Sequence, residues 1–174
     1  MDRKNGLDSL DRIILDLLQR EGRITNVRLA AAVGLSQASA LERVRKLEEQ
    51  GYIDRYVALV RPERVGRATT AWALVSLSFH HGQSIEHFNR AILQHPDVLE
   101  CYHVAGEEDF LIKVVVPDIA GYREFLLSLL AKDMGVAKIR TMMVLDVLKR
   151  ETRLPLTPEP AARKRPRKAA RTPQ

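Results

Sequence analysis

The sequence predicts an α+β chain in two parts, three short helices followed by strands and helices in the order βαββαβ. Three observations carry this. Apolar residues recur every three or four positions through the first fifty residues. From about residue 70 the apolar pattern turns to alternation, with two helical stretches set between the alternating runs. Pro62 and Gly66 interrupt the stretch between the two regimes, so 55–67 reads as an extended linker.

The first helix spans 8–22, where Leu10, Ile13, Ile14, Leu17 and Leu18 share helical spacing and Gly22 marks a stop. Thr25 is a good N-cap for a second helix that uses Val27, Leu29, Ala30 and Val33 before Gly34. Gly34-Leu35-Ser36 forms a turn, and Ser36 caps a third helix reaching about residue 50. There Ala40, Leu41, Val44 and Leu47 are expected inside. Ser39, Glu42, Arg43 and Lys46 are expected on the opposite side, with Gln37 and Ala38 at the exposed start. Gly51 ends the helix, and Tyr52-Ile53 open a short extended segment suited to a small wing. Three short helices with a tight glycine turn before the third make a helix-turn-helix pattern. A three-helix bundle without a DNA role has the same pattern. The polar start and basic flank of the third helix favour DNA, because a recognition helix meets base edges and phosphates there.

In the second part, strands are expected over 70–79, 98–104, 110–116 and 136–148, and helices over 84–95 and 118–131. The first of these helices carries Ile85, Phe88, Ile92 and Leu93 on one face. The second, capped by Asp118, buries Ile119, Tyr122, Phe125, Leu126 and Leu129. The order is the ferredoxin-like motif. Two helices cover only one face of a four-stranded sheet. Yet Leu111 and Val115 oppose Phe110, Ile112, Val114 and Val116, with only Lys113 interrupting, and the last strand is apolar on both sides. Leaving such a face in water costs about 25 cal/mol per Å² of apolar area. An identical sheet from a second subunit is the simplest cover, so a homodimer is expected.

Composition bounds the function. Hydrophobic residues make up 45% and charged residues 29% of the 174, ordinary for a globular chain. No run approaches the roughly 18 apolar residues of a membrane span, and the charged start MDRKNGLDSLDR lacks a secretory apolar stretch. The single cysteine, Cys101, excludes an intramolecular disulfide, and a reducing, cytoplasmic setting is expected. The net charge of +6 is unevenly spread. Residues 1–67 hold 13 Lys/Arg against 10 Asp/Glu, residues 68–151 hold 8 against 11, and residues 152–174 hold 7 against 1. The basic character therefore lies in the tail. Residues 155–174, rich in Pro, Ala and basic side chains, read as a disordered segment, either solvated or in contact with DNA phosphates.

Other chemistry finds little support. His80-His81 are adjacent in a loop, His87 and His95 lie eight apart, and His103 alternates with Cys101 on one strand face. None of these spacings suits zinc, and neither a metal nor a cofactor is expected. Cys101 reads as a packing residue rather than a redox sensor. No nucleophile–base constellation or phosphate loop is visible, so catalytic residues are not expected.

Several motifs together carry a family likeness: Arg23-Ile24-Thr25-Asn26, Leu29-Ala30, Val33-Gly34-Leu35-Ser36, Arg43-Val44-Arg45-Lys46-Leu47-Glu48 and Gly51-Tyr52-Ile53. The likeness continues through 100–110 (ECYHVAGEEDF) to about residue 150. The chain resembles the leucine-responsive regulatory protein/AsnC family of transcription regulators over nearly everything but the tail. The resemblance implies double-stranded DNA as partner and dimers formed through the βαββαβ domain, often assembled further into octamers. It also implies a small effector, commonly a free amino acid, bound between dimers near the loop joining the second and third strands. Some siroheme decarboxylases resemble the same two-domain arrangement, so the family alone leaves an enzyme alternative, beside that of an assembly protein without DNA affinity.

Within this reading, residues 1–55 form the DNA-binding domain, 56–68 the linker, 69–150 the effector and oligomerisation domain, and 151–174 the tail. Gln37, Ser39 and Glu42 are candidates for base edges, Arg43, Arg45 and Lys46 for phosphates or bases, and Thr25, Asn26 and Ser36 for the surrounding backbone. Gln37 stands where the family often has proline. The effector candidates are Val104, Gly106, Glu107, Glu108 and Asp109, with Thr141 and Met143 carried over more weakly from the last strand. The family loop reads G-D-x-D-(Y/F), and Glu107 takes the place of the first aspartate. A glycine lets a ligand approach the backbone, and carboxylates accept hydrogen bonds from an ammonium group. An acidic hairpin turn facing water is the plainer alternative.

Overall fold

The computed structural model describes residues 6–78, 82–131 and 135–156. Contacts divide the chain into two units, Met1–Ala58 together with Arg150–Gln174, and Leu59–Lys149.

The first unit contains α1 (Ser9–Arg20), α2 (Asn26–Val33) and α3 (Gln37–Glu49). Each helix starts on a side chain that satisfies an orphan amide. Asp8 and Asp11 form a reciprocal capping box on α1, Thr25 Oγ1 accepts from the Arg28 amide, and Ser36 Oγ accepts from the Ser39 amide. The turn between α2 and α3 depends on Gly34, whose φ of 69° lets the Leu35 and Gly34 amides reach back to the Ala30 and Ala31 carbonyls. Gly51, at φ 74°, closes α3 in the same way.

Ile14, Leu15, Leu29 and Leu47 form this unit's core, joined by Ile24, Val33, Val44 and Ile53. The buried stripe is narrower than the apolar pattern. Leu41, expected inside, is exposed, and so are Ile13 and Val27 of the apolar pattern. At 100° per residue Ala40, Val44 and Leu47 make one stripe of α3, and Leu41 falls outside it. Beyond Gly51, residues 53–61 run without helix or strand in this chain. The wing is thus an extended segment tied down by Tyr56, whose hydroxyl donates to Glu48 Oε1 at 2.9 Å. A 3-10 turn, Pro62–Val65, follows.

The second unit is an antiparallel sheet in the order β2-β3-β1-β4, formed by β1 (Thr69–Leu77), β2 (Val98–His103), β3 (Phe110–Val116) and β4 (Val136–Met143). Helices α4 (Gly82–Leu93) and α5 (Ile119–Ala131) complete the βαββαβ order. Ala71, Ala73, Val75 and Leu77 of β1 lie beside Phe110, Ile112, Val114 and Val116 of β3. Phe88, Ile92, Tyr122, Phe125 and Leu129 from the helices cover them. Phe88 packs against Phe110 with the rings tilted and their centroids 4.6 Å apart.

Several expected boundaries shift, for physical reasons. The first strand ends at Leu77, and Phe79, His80 and His81 lie outside the described residues. Helix α4 stops at Leu93 because Pro96 disfavours helix in the residue before it, and Leu93 faces water. Ile119, the first residue of α5, is also exposed. Strand β4 ends at Met143 rather than 148. Its last bond to β1 is the Val144 amide to the Thr70 carbonyl, where β1 itself runs out. Leu145 and Leu148 are consequently 97% and 92% exposed.

The face of the sheet away from the helices carries Trp72, Leu74, Leu111 and Met142. The Lys113 charge on it is already met within the chain. Its ammonium sits 2.7 Å from Glu100 Oε1 and 5.6 Å from the centre of the Trp72 ring. Lys138 and Arg140 lie toward the β4 edge, so the face is more mixed than its apolar pattern indicated.

Phe88→Ala should lower the unfolding free energy of the second unit by about 3–5 kcal/mol, since a fully buried ring leaves a cavity among close-packed neighbours. Urea titration followed by circular dichroism measures the shift.

Candidate nucleic-acid interface and effector loop

Helix α3 is held at its start and at its middle. Asn26 Nδ2 donates to the Gln37 carbonyl at 2.9 Å, which pins the start of α3 to the start of α2. Farther along, Arg43 Nη1 reaches Asp8 Oδ2 at 2.7 Å and Asp11 Oδ1 at 2.6 Å. The two carboxylates that cap α1 therefore also anchor α3. The Asp11 amide, and next the Arg43 guanidinium, hold the Asp8 carboxyl below its usual 3.8.

The structure sorts the expected DNA-facing residues into two groups. Gln37, Ser39, Glu42, Arg45 and Lys46 are exposed on α3. Helical geometry gathers Ser39, Glu42, Arg45 and Lys46 opposite the Ala40–Val44–Leu47 stripe, with Gln37 at the first turn. Thr25 and Ser36 are exposed as well and Asn26 and Arg43 partly so, and these four also have internal work. Thr25 and Ser36 cap helices, Asn26 joins two helices, and Arg43 borders the buried stripe with its charge matched by two aspartates. Its expected place on the outward face gives way to this ion pair. Ser39 Oγ also accepts from Ser36 Oγ at 2.9 Å. The D-x-x-D box at Asp8 and Asp11 was a readable local signal, although its partner on α3 was not.

The loop between β2 and β3 contains Val104, Gly106, Glu107, Glu108 and Asp109, and its carboxylates are not equivalent. Asp109 clamps the loop to β1. Its Oδ2 accepts from the Leu77 amide at 2.8 Å, its amide donates to the Val75 carbonyl at 2.9 Å, and its carbonyl accepts from the Val104 amide at 2.9 Å. The Glu108 side chain is 11% exposed, and its Oε1 lies 2.8 Å from Arg140 Nη2. That contact is a charge pair off hydrogen-bonding geometry, so the buried oxygen has no directional donor. Glu107 is exposed, and no atom comes within 4 Å of where a Cβ on Gly106 would stand.

Thr141 and Met143 lie farther along the register from the loop. Val75 pairs with Phe110 on one side and Ile139 on the other, which marks the row nearest the loop. Thr141 lies two residues from that row and Met143 four, or about 7 and 14 Å along the strand. Thr141 Oγ1 is 2.8 Å from the Tyr122 hydroxyl and borders an open groove of ≈ 270 Å³ between α5 and β4. One protomer does not bring Met143 to the loop.

Cys101 and His103 share a strand face, as their spacing indicated. His103 stacks on Phe110 at 5.0 Å, and burial pushes the Cys101 thiol up, away from the reactive thiolate. Among the described residues no three His, Cys, Asp or Glu side chains group as metal ligands. No helix among them is long and apolar enough to cross a membrane.

Comparison with known proteins finds one family model in each part of the chain. A family model described as winged helix-turn-helix DNA-binding matches residues 7–54, and one described as Lrp/AsnC ligand binding domain matches residues 70–154. The leucine-responsive regulatory protein of Escherichia coli K12 is 40% identical over 148 residues, covering 85% of this chain and 90% of its own length. Among solved structures, a transcriptional regulator of Neisseria meningitidis in complex with L-Met superposes with a TM-score of 0.82. It is 35% identical and covers 86% of this chain and 97% of that one. An AsnC family regulator from Agrobacterium tumefaciens gives 0.81 at 35% identity, with coverage of 86% and 97%.

Arg43→Ala should lower the stability of the first unit by about 1 kcal/mol, whereas Lys46→Ala should leave it within about 0.5 kcal/mol. Thermal melts separate the two. The Asp8 contribution has a definite sign with pH. A carboxyl depressed in the folded state stabilises above 3.8 and loses that stability as pH falls through the folded value. The parent protein should therefore lose more stability on acidification than Arg43→Ala does.

Proposed function

Because the chain belongs to the Lrp/AsnC family of DNA-binding transcription regulators, we propose that it reads a pseudo-palindromic operator as a homodimer and responds to a small amino-acid-like effector. The observation that carries the DNA half is the exposed face of α3. Gln37, Ser39 and Glu42 stand toward its first turns and Arg45 and Lys46 farther along, on a helix whose position is set by Asn26 and Arg43. In the major groove this face presents Gln37, Ser39 and Glu42 to base edges and the two cations to phosphates or bases. Thr25, Asn26 and Ser36 support it, with main-chain groups at the two helix starts near the DNA backbone. Arg43 acts through its hold on α3. Residues 56–68 are the linker, 69–150 the effector and oligomerisation domain, and 151–174 the tail. The reading is regulatory and not catalytic, and its setting is the cytoplasm.

The effector half rests on the loop. An α-amino acid has an ammonium group that exposed Glu107 can receive, beside the open backbone at Gly106. Asp109 and Glu108 keep the loop in place for it. Because Thr141 and Met143 lie away from the loop within a protomer, a site that includes Met143 draws it from a second copy. This supports a contact between subunits as the place of binding. Effector binding there shifts assembly or DNA affinity by its differential affinity for the two states.

A gel-shift titration against the DNA upstream of its own gene, with competitor and each of the twenty amino acids, tests both halves. A discrete complex should survive competitor, and at least one amino acid should move it. Complexes that all vanish with competitor would remove the operator claim. No heat in calorimetry with any amino acid would remove the effector claim. Glu107→Ala should weaken the responding amino acid about tenfold or more while leaving the melting temperature unchanged. On the helix, Arg45→Ala and Lys46→Ala should each flatten the salt dependence of DNA affinity by about one counterion.

A further inference from the structure

The chain does not end with the second unit. After Lys149 it rejoins the first unit, and residues 150–156 lie along α1. One side chain holds them by two bonds. Gln19 Oε1 accepts from the Leu154 amide at 2.7 Å, and Gln19 Nε2 donates to the Leu154 carbonyl at 3.2 Å. A side-chain amide here takes the part of a neighbouring strand, satisfying both main-chain groups of an extended residue. Two residues on, Leu156 packs against the Ile14–Leu15–Leu29–Leu47 core. It stands between two grooves on α1, one beside Leu15 and Leu18 and the other beside Ile13 and Leu17. Arg153 Nε lies 4.0 Å from Asp16.

The sequence beyond this attachment is strongly basic. Residues 157–174 contain Arg163, Lys164, Arg165, Arg167, Lys168 and Arg171 against the single acid Glu159. Covalent geometry places Arg163 no more than about 25 Å from Leu156, and Arg171 no more than about 54 Å. A unit of this size has a radius of gyration of only about 10 Å. A cationic segment rooted on α1 is therefore within reach of any duplex that α3 contacts. Rooted at Lys149, it would leave from the other unit instead.

We propose that residues 150–156 are a clip that roots the chain on α1, so that the basic cluster 163–171 adds a sequence-independent phosphate contact on the duplex that α3 reads. The inference rests on the DNA-binding reading above. The clip raises the effective concentration of the cations at the DNA, and the cations gain affinity by releasing counterions. Base edges are left to α3.

The test uses the full-length protein and a duplex of unrelated sequence, with binding followed by fluorescence anisotropy from 50 to 200 mM salt, concentrations at which such contacts differ strongly. One variant replaces the six cations of 163–171 by glutamine. The salt slope should fall by up to about 5 per protomer engaged, and affinity at the lower salt should fall at least tenfold. A second variant, Gln19→Ala with Leu156→Ala, undoes the clip and should give a smaller loss with the charges intact. Gln19→Ala alone, which touches only exposed hydrogen bonds, replaces it if the double variant fails to melt cooperatively. An unchanged slope in the glutamine variant, with the parent still binding, overturns the tail contact and leaves the DNA reading standing. Unchanged affinity in whichever clip variant is used overturns the clip. A parent that binds no duplex at any salt overturns the DNA reading itself. Phosphatidylglycerol vesicles form the last arm. Tail-dependent binding to them, beside tail-independent binding to DNA, would assign the cluster to a membrane surface and overturn the proposal.

Discussion

Strand β1 is hydrogen-bonded along both edges, and much of the second unit takes its limits from that strand. Its small residues Ala71 and Ala73 leave room for α4 and α5 to lay Phe88, Phe125 and Leu129 on the sheet. Where β1 begins, β4 loses its partner and ends. Where β1 finishes, the Leu77 amide is taken by the Asp109 carboxylate at a shift in strand register. One strand thus determines both how far the sheet extends and how the candidate effector loop is anchored.

The anchoring changes the chemistry of the loop. Three adjacent acids in a hairpin would repel one another and scatter if all faced water. Here Asp109 is bound to main chain, Glu108 is mostly covered and paired with Arg140, and Glu107 is left at the surface. A site with one outward carboxylate beside a glycine is better suited to a single ammonium group than a diffuse acidic turn is. The same economy appears on the open sheet face. Lys113 is matched by Glu100 and lies over Trp72, which lowers the cost of covering that face with a second subunit.

In the first unit the acids that cap α1 also hold Arg43. Placing a helix in a groove requires that its direction be set before contact, because a flexible reader loses affinity to ordering. Asn26 at one end of α3 and Arg43 farther along supply that rigidity. They leave Gln37, Ser39, Glu42, Arg45 and Lys46 outward.

Helix starts, the Gly34 turn, the strand alternation and the βαββαβ order were all legible in the amino-acid sequence. Each is encoded within a few residues, by side-chain period or by a cap that bonds its own next turn. The tertiary structure decided what depends on distant partners. Leu41 and Ile13 look like core by period, but a three-helix unit has too little interior to bury their side of the helix. The spacing on α3 says nothing of the ion pairs that the fold gives Arg43 with Asp8 and Asp11, 35 and 32 residues away. Nothing local joins Gln19 to Leu154 across 135 residues, nor tells β4 to stop where β1 begins. Such contacts are created by chain reversal, and the energy that selects them is shared across the whole packed unit rather than written in any one segment.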